Sequence, residues 1–156
     1  MFLQLPATCQ KIVAITCAIE GLFDTLTEGA VRILLVEDHQ DTLEAMSRLL
    51  TLRNHHVDTA TTLADANGLC KSNGFELMIC DIGLPDGDGW ELGLLAQKLN
   101  IPAIALTAYG MPDDVTRGKE MGFTAYLVKP VDLDKLIQTL ELVEKTIIPP
   151  PATTVA

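Results

Sequence analysis

Residues 76–90 read ELMICDIGLPDGDGW and contain the two features that decide the fold. The first is a short apolar run, Glu76–Cys80, which predicts a buried strand of a parallel sheet because turn residues bound it. The second is Asp81, which directly follows that strand. Ligands of open α/β sheets bind beyond the carboxyl ends of the strands, so Asp81 is predicted to lie at a functional edge.

Short β-rich runs and longer amphipathic runs continue to alternate on both sides of this stretch. Such alternation predicts βα units in a parallel sheet, an α/β doubly wound (βα)5 sandwich. The last amphipathic run repeats apolar residues at the spacing of one buried helical stripe, namely Leu133, Leu136, Ile137, Leu140 and Val143. The predicted strands are Val31–Val36, His56–Ala60, Glu76–Cys80, Ala103–Leu106 and Ala125–Val128, and the predicted helices cover about 40–53, 62–72, 88–99, 112–121 and 132–147.

Three segments are predicted along the chain. Residues 1–30 form an N-terminal extension of uncertain structure, whose only periodic pattern is that of a helix around Cys9–Phe23. Residues 31–147 form the main domain. Three consecutive prolines at 149–151 end regular structure, which leaves 148–156 as a disordered tail.

The composition argues against several classes of function. The formal net charge is −10 and the pI is about 4.5, whereas nucleic-acid binders need clustered Lys and Arg. The four cysteines lack the spacing of a zinc site and are too few for a disulfide scaffold. No apolar run reaches the ~18 residues of a membrane span. The sequence therefore predicts a cytoplasmic protein that binds no nucleic acid and does not itself enter a membrane.

Polar residues end four of the predicted strands, and the carboxyl ends of parallel strands meet at one edge. Three carboxylates at that edge repel each other unless a cation lies among them, and an all-oxygen site with open positions favours Mg²⁺. A hydroxyl and an ammonium at the same edge are groups that stabilise the charge of a phosphoryl group. These strand-end residues are Glu37 and Asp38, Asp81, Thr107, and Lys129 with Pro130.

These motifs resemble the receiver domain of response regulators in two-component phosphorelays, over about 115 positions. The acidic pair stands in VRILLVEDHQ, the phosphoacceptor stretch is DIGLPDGDGW, the threonine stands in IALTA and the lysine in AYLVKP. The resemblance implies a flavodoxin-like sheet with strand order 2-1-3-4-5. Pro85 matches the turn after the phosphoacceptor, and Pro130 matches the family's cis peptide after the lysine. The phrase GLPDGDGW looks most like the receivers of hybrid sensor kinases.

The resemblance also implies how the site would work. Glu37, Asp38, Asp81 and the backbone carbonyl of Gly83 would hold Mg²⁺. Asp81 would be the nucleophile that takes a phosphoryl group from the phosphohistidine of a histidine kinase or histidine phosphotransfer protein. The metal would offset charge on both groups as they approach.

The response to phosphorylation follows from the same resemblance. The Thr107 hydroxyl and Lys129 would bind phosphoryl oxygens, and Tyr126 would be the switch aromatic that swings inward as the threonine moves. The surface of helix 4, strand 5 and helix 5 would then change and contact a downstream protein partner. A half-buried strand tyrosine is the alternative interpretation of Tyr126.

The lifetime of the phosphorylated state is predicted from two positions. Gly83 and Tyr109 lie two residues after Asp81 and Thr107, where side chains of this family influence the access of hydrolytic water. Gly83 cannot position water, and Tyr109 would partly shield the phosphoryl group. We therefore expect slow dephosphorylation.

Two other functions stay open at this point. A pseudo-receiver would keep the fold as an interaction module without being phosphorylated. The sequence Asp86-Gly-Asp88-Gly also resembles the nucleophile loop of haloacid-dehalogenase phosphatases, although the apolar strand leads into Asp81 rather than into Asp86. The favoured interpretation is a signalling phosphoacceptor rather than a metabolic enzyme.

Other chemically active residues are given structural interpretations. The acidic stretch that begins at Asp86 does not fit an EF-hand calcium loop, because Glu91 stands where the invariant glycine belongs. Three histidines, His39, His55 and His56, are interpreted as solvated loop or helix-flanking residues. Cys80 is interpreted as apolar filler, with a redox sensor as the alternative. The charged residues of 113–120 are assigned to the exposed face of helix 4, or to a partner surface.

Overall fold

The computed structural model describes residues 29–72, 74–108 and 112–147, with side chains in the fourth helix described from Thr116 onward. The chain divides into two units at residues 30 and 31, and every element below belongs to the second unit. The predicted helix around Cys9–Phe23, the tail 148–156 and Tyr109 lie outside the described residues. The boundaries of the three predicted segments therefore stay predictions.

Within the described residues, five parallel strands alternate with five helices, as predicted. The strands are β1 (Arg32–Val36), β2 (His56–Ala60), β3 (Leu77–Asp81), β4 (Ala103–Thr107) and β5 (Ala125–Val128), and the helices are α1 (Gln40–Leu52), α2 (Leu63–Ser72), α3 (Trp90–Leu99), α4 (Pro112–Glu120) and α5 (Leu133–Ile147). The sheet order is β2-β1-β3-β4-β5. This confirms the flavodoxin-like order 2-1-3-4-5. Within the described ranges, the helices are too short or too polar to cross a membrane.

The sheet separates two apolar cores because successive strand residues point to opposite faces. One core packs alternate residues of the strands against α1 and α5, with Leu35, Ile79, Ile104, Met46 and Leu136 among its members. The other packs the intervening residues against α2 and α3, with Val36, Met78, Ala105, Ala66 and Leu92 among its members. Strands β3 and β4 are buried along their whole length, which explains why Glu76–Cys80 is an almost unbroken apolar run.

Positive φ angles mark the ends of α3 and α4. Gly122 has a φ of 88° just after α4, a conformation that favours glycine. Asn100 ends α3 with a φ of 57°.

A short antiparallel ribbon lies between β3 and α3 and was not predicted. It pairs Gly83–Leu84 with Gly87–Asp88. The helix predicted to begin near residue 88 begins at Trp90 instead, because Asp88 belongs to the ribbon and its Oδ1 accepts a hydrogen bond from the Trp90 N–H at 3.1 Å. A Cβ at Gly89 would lie 2.4 Å from the carbonyl oxygen of Asp81. Gly89, which follows the ribbon, therefore packs directly against the end of β3.

His55 is buried, and the prediction of a solvated histidine is wrong for this residue. Its side chain is only 5% exposed. Nδ1 accepts a hydrogen bond from the Val31 N–H at 3.3 Å, and Nε2 lies 2.9 Å from Oε1 of Glu144 in α5. Burial, followed by the charge of Arg53, lowers the pKa of His55. His56 is exposed, as predicted.

Candidate functional site

The predicted strand-end residues converge on a cavity of about 580 Å³ at the carboxyl edge of the sheet. Four of them line this cavity, namely Asp38, Asp81, Thr107 and Lys129, together with Gly83, the predicted backbone ligand of the metal. The convergence follows from the parallel topology, which places the ends of β1, β3, β4 and β5 side by side. The cavity is therefore the candidate functional site.

Asp81 ends β3, and both of its carboxylate oxygens are engaged. Its side chain is 8% exposed. Oδ1 accepts a hydrogen bond from the Gly83 N–H at 2.9 Å, and Oδ2 lies 2.7 Å from Nζ of Lys129. The Ile82 N–H donates to the carbonyl of Leu106 at 2.9 Å. These contacts give the carboxylate a defined orientation in the cavity.

Lys129 links three strand ends. Its backbone N–H donates to the Thr107 carbonyl at 2.8 Å, and the peptide bond to Pro130 is cis. Its ammonium donates to Oε1 and Oε2 of Glu37, at 3.1 and 2.8 Å, as well as to Asp81. Burial of the ammonium lowers its pKa, but the hydrogen bonds and charges of Asp81 and Glu37 outweigh this effect and hold the pKa of Lys129 above its usual value. Lys129 is therefore a charged donor in this site.

Glu37 is fully buried and binds Lys129. Its Oε1 also accepts a hydrogen bond from the His39 N–H at 3.2 Å. Asp38 beside it is exposed and lines the cavity. The two members of the acidic pair thus differ, because Glu37 anchors the lysine while Asp38 faces the solvent.

The donor set suits a divalent metal ion. Glu37 and Asp81 share the ammonium of Lys129, and the exposed carboxylate of Asp38 lines the same cavity as Asp81, so the carboxylates here outnumber the lysine. Ligand atoms of Glu37, Asp38 and His39 lie within 4.8 Å of one another, and Asp81 lies outside that group. His39 is exposed and directly precedes α1, as predicted for a helix-flanking residue, and it lies beside the acidic pair. An oxygen-rich site with an exposed carboxylate fits a hard cation such as Mg²⁺.

Thr107 and Tyr126 share one face of the sheet. Thr107 ends β4 and is 4% exposed. Tyr126 pairs with Ala105, two residues before Thr107, so the two side chains point the same way. The half-buried Tyr126 donates its hydroxyl hydrogen bond to the Phe123 carbonyl at 3.3 Å, and burial raises the pKa of Tyr126.

The sequence model of the response regulator receiver domain matches residues 33–141, a range that includes every site residue described above. The chain belongs to the response regulator receiver family. Receiver domains are signalling domains rather than metabolic enzymes. They depend in general on Mg²⁺, and their two-component systems imply a histidine kinase or phosphotransfer protein as partner.

Curated relatives of this receiver are response regulators. The "Swarming motility regulation protein RssB" of Serratia marcescens is 35% identical over 117 residues, which are 74% of this chain and 53% of RssB. The "Transcriptional regulatory protein HprR" of Escherichia coli (strain K12) is 36% identical over 108 residues, which are 69% of this chain and 48% of HprR. The receiver thus spans about half the length of these relatives. The predicted likeness to hybrid kinase receivers is not confirmed by them.

Solved receiver structures have the same fold. The non-phosphorylated HemR receiver domain from Leptospira biflexa superposes with a TM-score of 0.68 at 34% identity, covering 73% of this chain and 94% of that one. The chemotaxis response regulator CheY4 of Vibrio cholerae gives a TM-score of 0.68 at 27% identity, covering 73% of this chain and 98% of that one. The site geometry and the family thus agree.

Two side chains at the site of this receiver were not assigned to it from the sequence. Trp90 and Arg117 line the cavity, and Cζ of Arg117 lies 5.2 Å from the centroid of the Trp90 ring. Arg117 Nη2 also donates to Oδ2 of Asp88 at 3.3 Å. The sequence placed Arg117 on an exposed helix face, and its side chain is indeed 55% exposed. Its contact with the site depends on how α4 packs beside α3, which local spacing does not encode.

The two carboxylates of Asp86-Gly-Asp88-Gly hold the ribbon of the receiver in place. Asp86 accepts hydrogen bonds from the N–H groups of Leu63 and Ala64 in the first turn of α2, at 2.7 and 2.9 Å, and these bonds lower the pKa of Asp86. Asp88 binds the start of α3 and Arg117. The likeness of this motif to a phosphatase nucleophile loop gains no support from these contacts.

Cys80 precedes Asp81 and is buried. Burial, followed by the charges of Asp81 and Cys70, raises the pKa of the Cys80 thiol far above its usual value. Since the thiolate is the reactive form, Cys80 is better explained as apolar filler than as a redox sensor.

Proposed function

We propose that Asp81 accepts a phosphoryl group from the phosphohistidine of a histidine kinase or histidine phosphotransfer protein, in a Mg²⁺-dependent reaction. The observation that carries this proposal is the ammonium of Lys129, 2.7 Å from Oδ2 of Asp81 in a cavity that Asp38 and Thr107 also line. In the transfer, an oxygen of Asp81 forms a bond to phosphorus while the phosphorus–nitrogen bond breaks. The donor histidine leaves with the electron pair.

The metal ligands of this proposal are Glu37, Asp38, Asp81 and the backbone carbonyl of Gly83. When bound, Mg²⁺ offsets the negative charge of the carboxylates and of the approaching phosphoryl group. Asp38 is exposed and available as the site stands. Both carboxylate oxygens of Glu37 accept hydrogen bonds from Lys129. A direct contact between Glu37 and the ion would therefore require that Lys129 releases one of these oxygens.

Lys129 and Thr107 would bind the phosphoryl oxygens. The ammonium has three N–H donors, and the structure directs them at Glu37 and Asp81. After phosphorylation, the donor that serves Asp81 can turn to a phosphoryl oxygen while the buried Glu37 keeps the ammonium anchored. This arrangement holds the charge in place before the phosphoryl group arrives, which favours catalysis.

An apolar groove beside the site supports a protein as the phosphoryl donor. The groove shares His39 and Lys129 with the cavity of Asp81. Because the donor histidine must come within bonding distance of Asp81, the donor surface would cover this groove. Its apolar lining comes from α1 and from the segment after β5, namely Ala45, Met46, Pro130, Val131 and Leu133.

Phosphorylation would change the surface formed by α4, β5 and α5. Movement of Thr107 toward the phosphoryl group opens space on the sheet face that Tyr126 shares, and Tyr126 would turn inward into it. A downstream protein partner would read the altered surface. We place the receiver in the cytoplasm, where the ATP that supplies histidine kinases is found, whether it acts alone or within a hybrid kinase.

The phosphorylated state would decay slowly. Gly83 lies two residues after Asp81 and is exposed, yet it has no side chain with which to orient a hydrolytic water. The shielding role of Tyr109 remains a prediction for a residue outside the described ranges. A phosphoaspartate half-life of only seconds without a phosphatase would contradict slow autophosphatase activity.

The proposal is tested by treating the full chain with acetyl phosphate, or with beryllofluoride, in the presence of Mg²⁺. We expect acetyl phosphate to add one phosphoryl group to the mass of the wild type and either reagent to change the Trp90 fluorescence. The Asp81→Asn variant should show neither change. If the wild type itself fails both measurements, the fold serves as a pseudo-receiver interaction module instead.

A further inference from the structure

We propose that Arg117 is a phosphoryl-binding residue that exchanges its contact with Asp88 for a contact with the phosphoryl group on Asp81. The inference rests on the proposed function, because it adds a residue to that same site. Arg117 belongs to α4, and its side chain lines the cavity that contains Asp81 and Lys129. Within the described residues, Arg117 and Lys129 are the arginine and lysine that line this cavity, which His39 also lines.

The contact of Arg117 with Asp88 is weak enough to be exchanged. The two atoms lie 3.3 Å apart, and the side chains are 55% and 50% exposed. Charge-assisted hydrogen bonds are usually about 2.7–2.9 Å long, as is the 2.7 Å contact between Lys129 and Asp81. Exposed ion pairs of this kind contribute little free energy, so a stronger anion can displace Asp88.

Trp90 holds the guanidinium at the cavity while its partner changes. Cζ of Arg117 lies 5.2 Å from the ring centroid, within the ~6 Å range of a cation–π contact. The ring itself is fixed, because Trp90 is only 5% exposed and packs edge-on against Phe123 at 5.8 Å. The guanidinium can therefore turn toward the cavity without losing its apolar support.

Phosphorylation supplies the stronger anion. A phosphoryl group carries roughly −1.5 to −2 charge at neutral pH, whereas Asp88 offers a single carboxylate. The planar fork of arginine also matches two phosphoryl oxygens at once. Lys129 is shared between Glu37 and Asp81 and would give the phosphoryl group only part of its donors, so Arg117 can add contacts beside those of Lys129, Thr107 and Mg²⁺.

The test measures how fast acetyl phosphate phosphorylates the full chain, by intact mass, in excess Mg²⁺ and at low ionic strength. Arg117→Gln should slow the reaction about fivefold, because it removes one charge-assisted contact. Asp88→Asn keeps an oxygen for the Trp90 N–H but releases Arg117, so it should accelerate the reaction about twofold. Lys119→Ala, which removes one exposed positive charge from the same helix, is the matched control and should change the rate little.

Two further measurements separate a phosphoryl contact from a structural role. The double variant with Arg117→Gln and Asp88→Asn should react as slowly as Arg117→Gln alone, because Asp88 acts through Arg117. Added salt should narrow the difference between the wild type and Arg117→Gln, since it screens exposed charges.

The inference would be overturned by equal rates for Arg117→Gln and the wild type at low salt, or by acceleration from Asp88→Asn in the absence of Arg117. A uniform loss that also appears in Lys119→Ala would equally contradict it. If the wild type is not phosphorylated at all, the proposed function itself is contradicted. That outcome is distinguishable from failure of the Arg117 inference, because it is seen in the wild type without any variant.

Discussion

Nζ of Lys129 lies 2.7 Å from Oδ2 of Asp81 and 2.8 Å from Oε2 of Glu37, so one ammonium compensates the carboxylate of Asp81 and that of the fully buried Glu37. Removing one partner of a buried ion pair leaves the other uncompensated, which usually costs more than the pair contributes. Lys129 therefore stabilises the fold as well as the site. The remaining carboxylates would also repel each other without it.

We predict that Lys129→Met lowers the free energy of unfolding by about 3 kcal/mol, because Glu37 loses its counter-charge. Adding Glu37→Gln to Lys129→Met should restore part of this loss. Urea unfolding in EDTA measures both effects, and Lys135→Met, at an exposed lysine of α5, is the control. Equal losses in the single and double variants would show that the pairing with Glu37 is not the cause.

Asp86 provides a second prediction, which separates the two aspartates that could accept a phosphoryl group. Because Asp86 binds the first N–H groups of α2, Asp86→Ala should lower stability in urea unfolding, and Asp86→Asn should lower it less. Neither variant should change the mass gained with acetyl phosphate. Loss of phosphorylation in a folded Asp86→Asn variant, with Asp81→Asn still reactive, would revive the phosphatase-like alternative.

The sequence could predict the strand-end residues because their placement depends on local rules. An apolar run followed by a polar residue places Asp81 and Thr107 at strand ends, and parallel strands bring those ends together. The helix that contains Leu136 and Leu140 was predicted from apolar spacing, whereas the sheet order was implied by the resemblance to the receiver family. Nothing beyond periodicity, turn residues and family motifs was needed.

The contacts of Arg117 and His55 could not be predicted in this way. Arg117 contacts Trp90 and Asp88, which lie more than 25 residues earlier in the sequence. His55 near β2 contacts Glu144 in the last helix. Both depend on how helices pack, which the spacing of neighbours does not encode. The ribbon was missed because its two-residue strands are too short to show a period.

His55 provides a pH-dependent prediction. Burial and then Arg53 lower its pKa from the usual 6.5, so below that pH the unfolded chain binds a proton that the native His55 does not. Stability should therefore fall as the pH drops through about 6.5. Glu144 has the opposite effect on stability. Burial raises its pKa, although Arg53 partly opposes this. Its contribution to the stability of the fold is therefore present at low pH and is lost as the pH rises through the pKa of the folded state.

Urea unfolding at about pH 7 and about pH 5.5 checks this prediction, since histidine titrates in that range. The wild type should lose stability at the lower pH, and His55→Gln should lose less. His56→Gln, at the adjacent exposed histidine, should behave like the wild type. An identical loss in His55→Gln and the wild type would show that another group titrates.

Gly118 and Tyr126 provide the last prediction, which concerns the surface of α4, β5 and α5 that we propose responds to phosphorylation. A Cβ at Gly118 would lie 2.1 Å from Cε1 of the Tyr126 ring and 2.4 Å from its hydroxyl oxygen. Gly118→Ala must therefore displace the ring or α4, and we expect a loss of about 1–3 kcal/mol, as for other overpacked sites. In a Tyr126→Ala background the same substitution should be neutral or stabilise by up to ~1 kcal/mol, because alanine favours helix more than glycine.

A double-mutant cycle from urea unfolding measures this coupling, and equal losses in both backgrounds would exclude the ring contact as the cause.

The Gly118→Ala variant also tests whether the contact controls the proposed response to phosphorylation. Because Gly118 follows Arg117 in α4 and Tyr126 shares a sheet face with Thr107, displacing the ring should alter α4 and β5 before any phosphoryl group is present. Backbone amide NMR spectra of unphosphorylated Gly118→Ala test this. The chemical shifts of residues in α4 and β5 should change in the same direction as beryllofluoride changes them in the wild type. Changes confined to Tyr126 and Gly118 would mean that the contact only packs the helix.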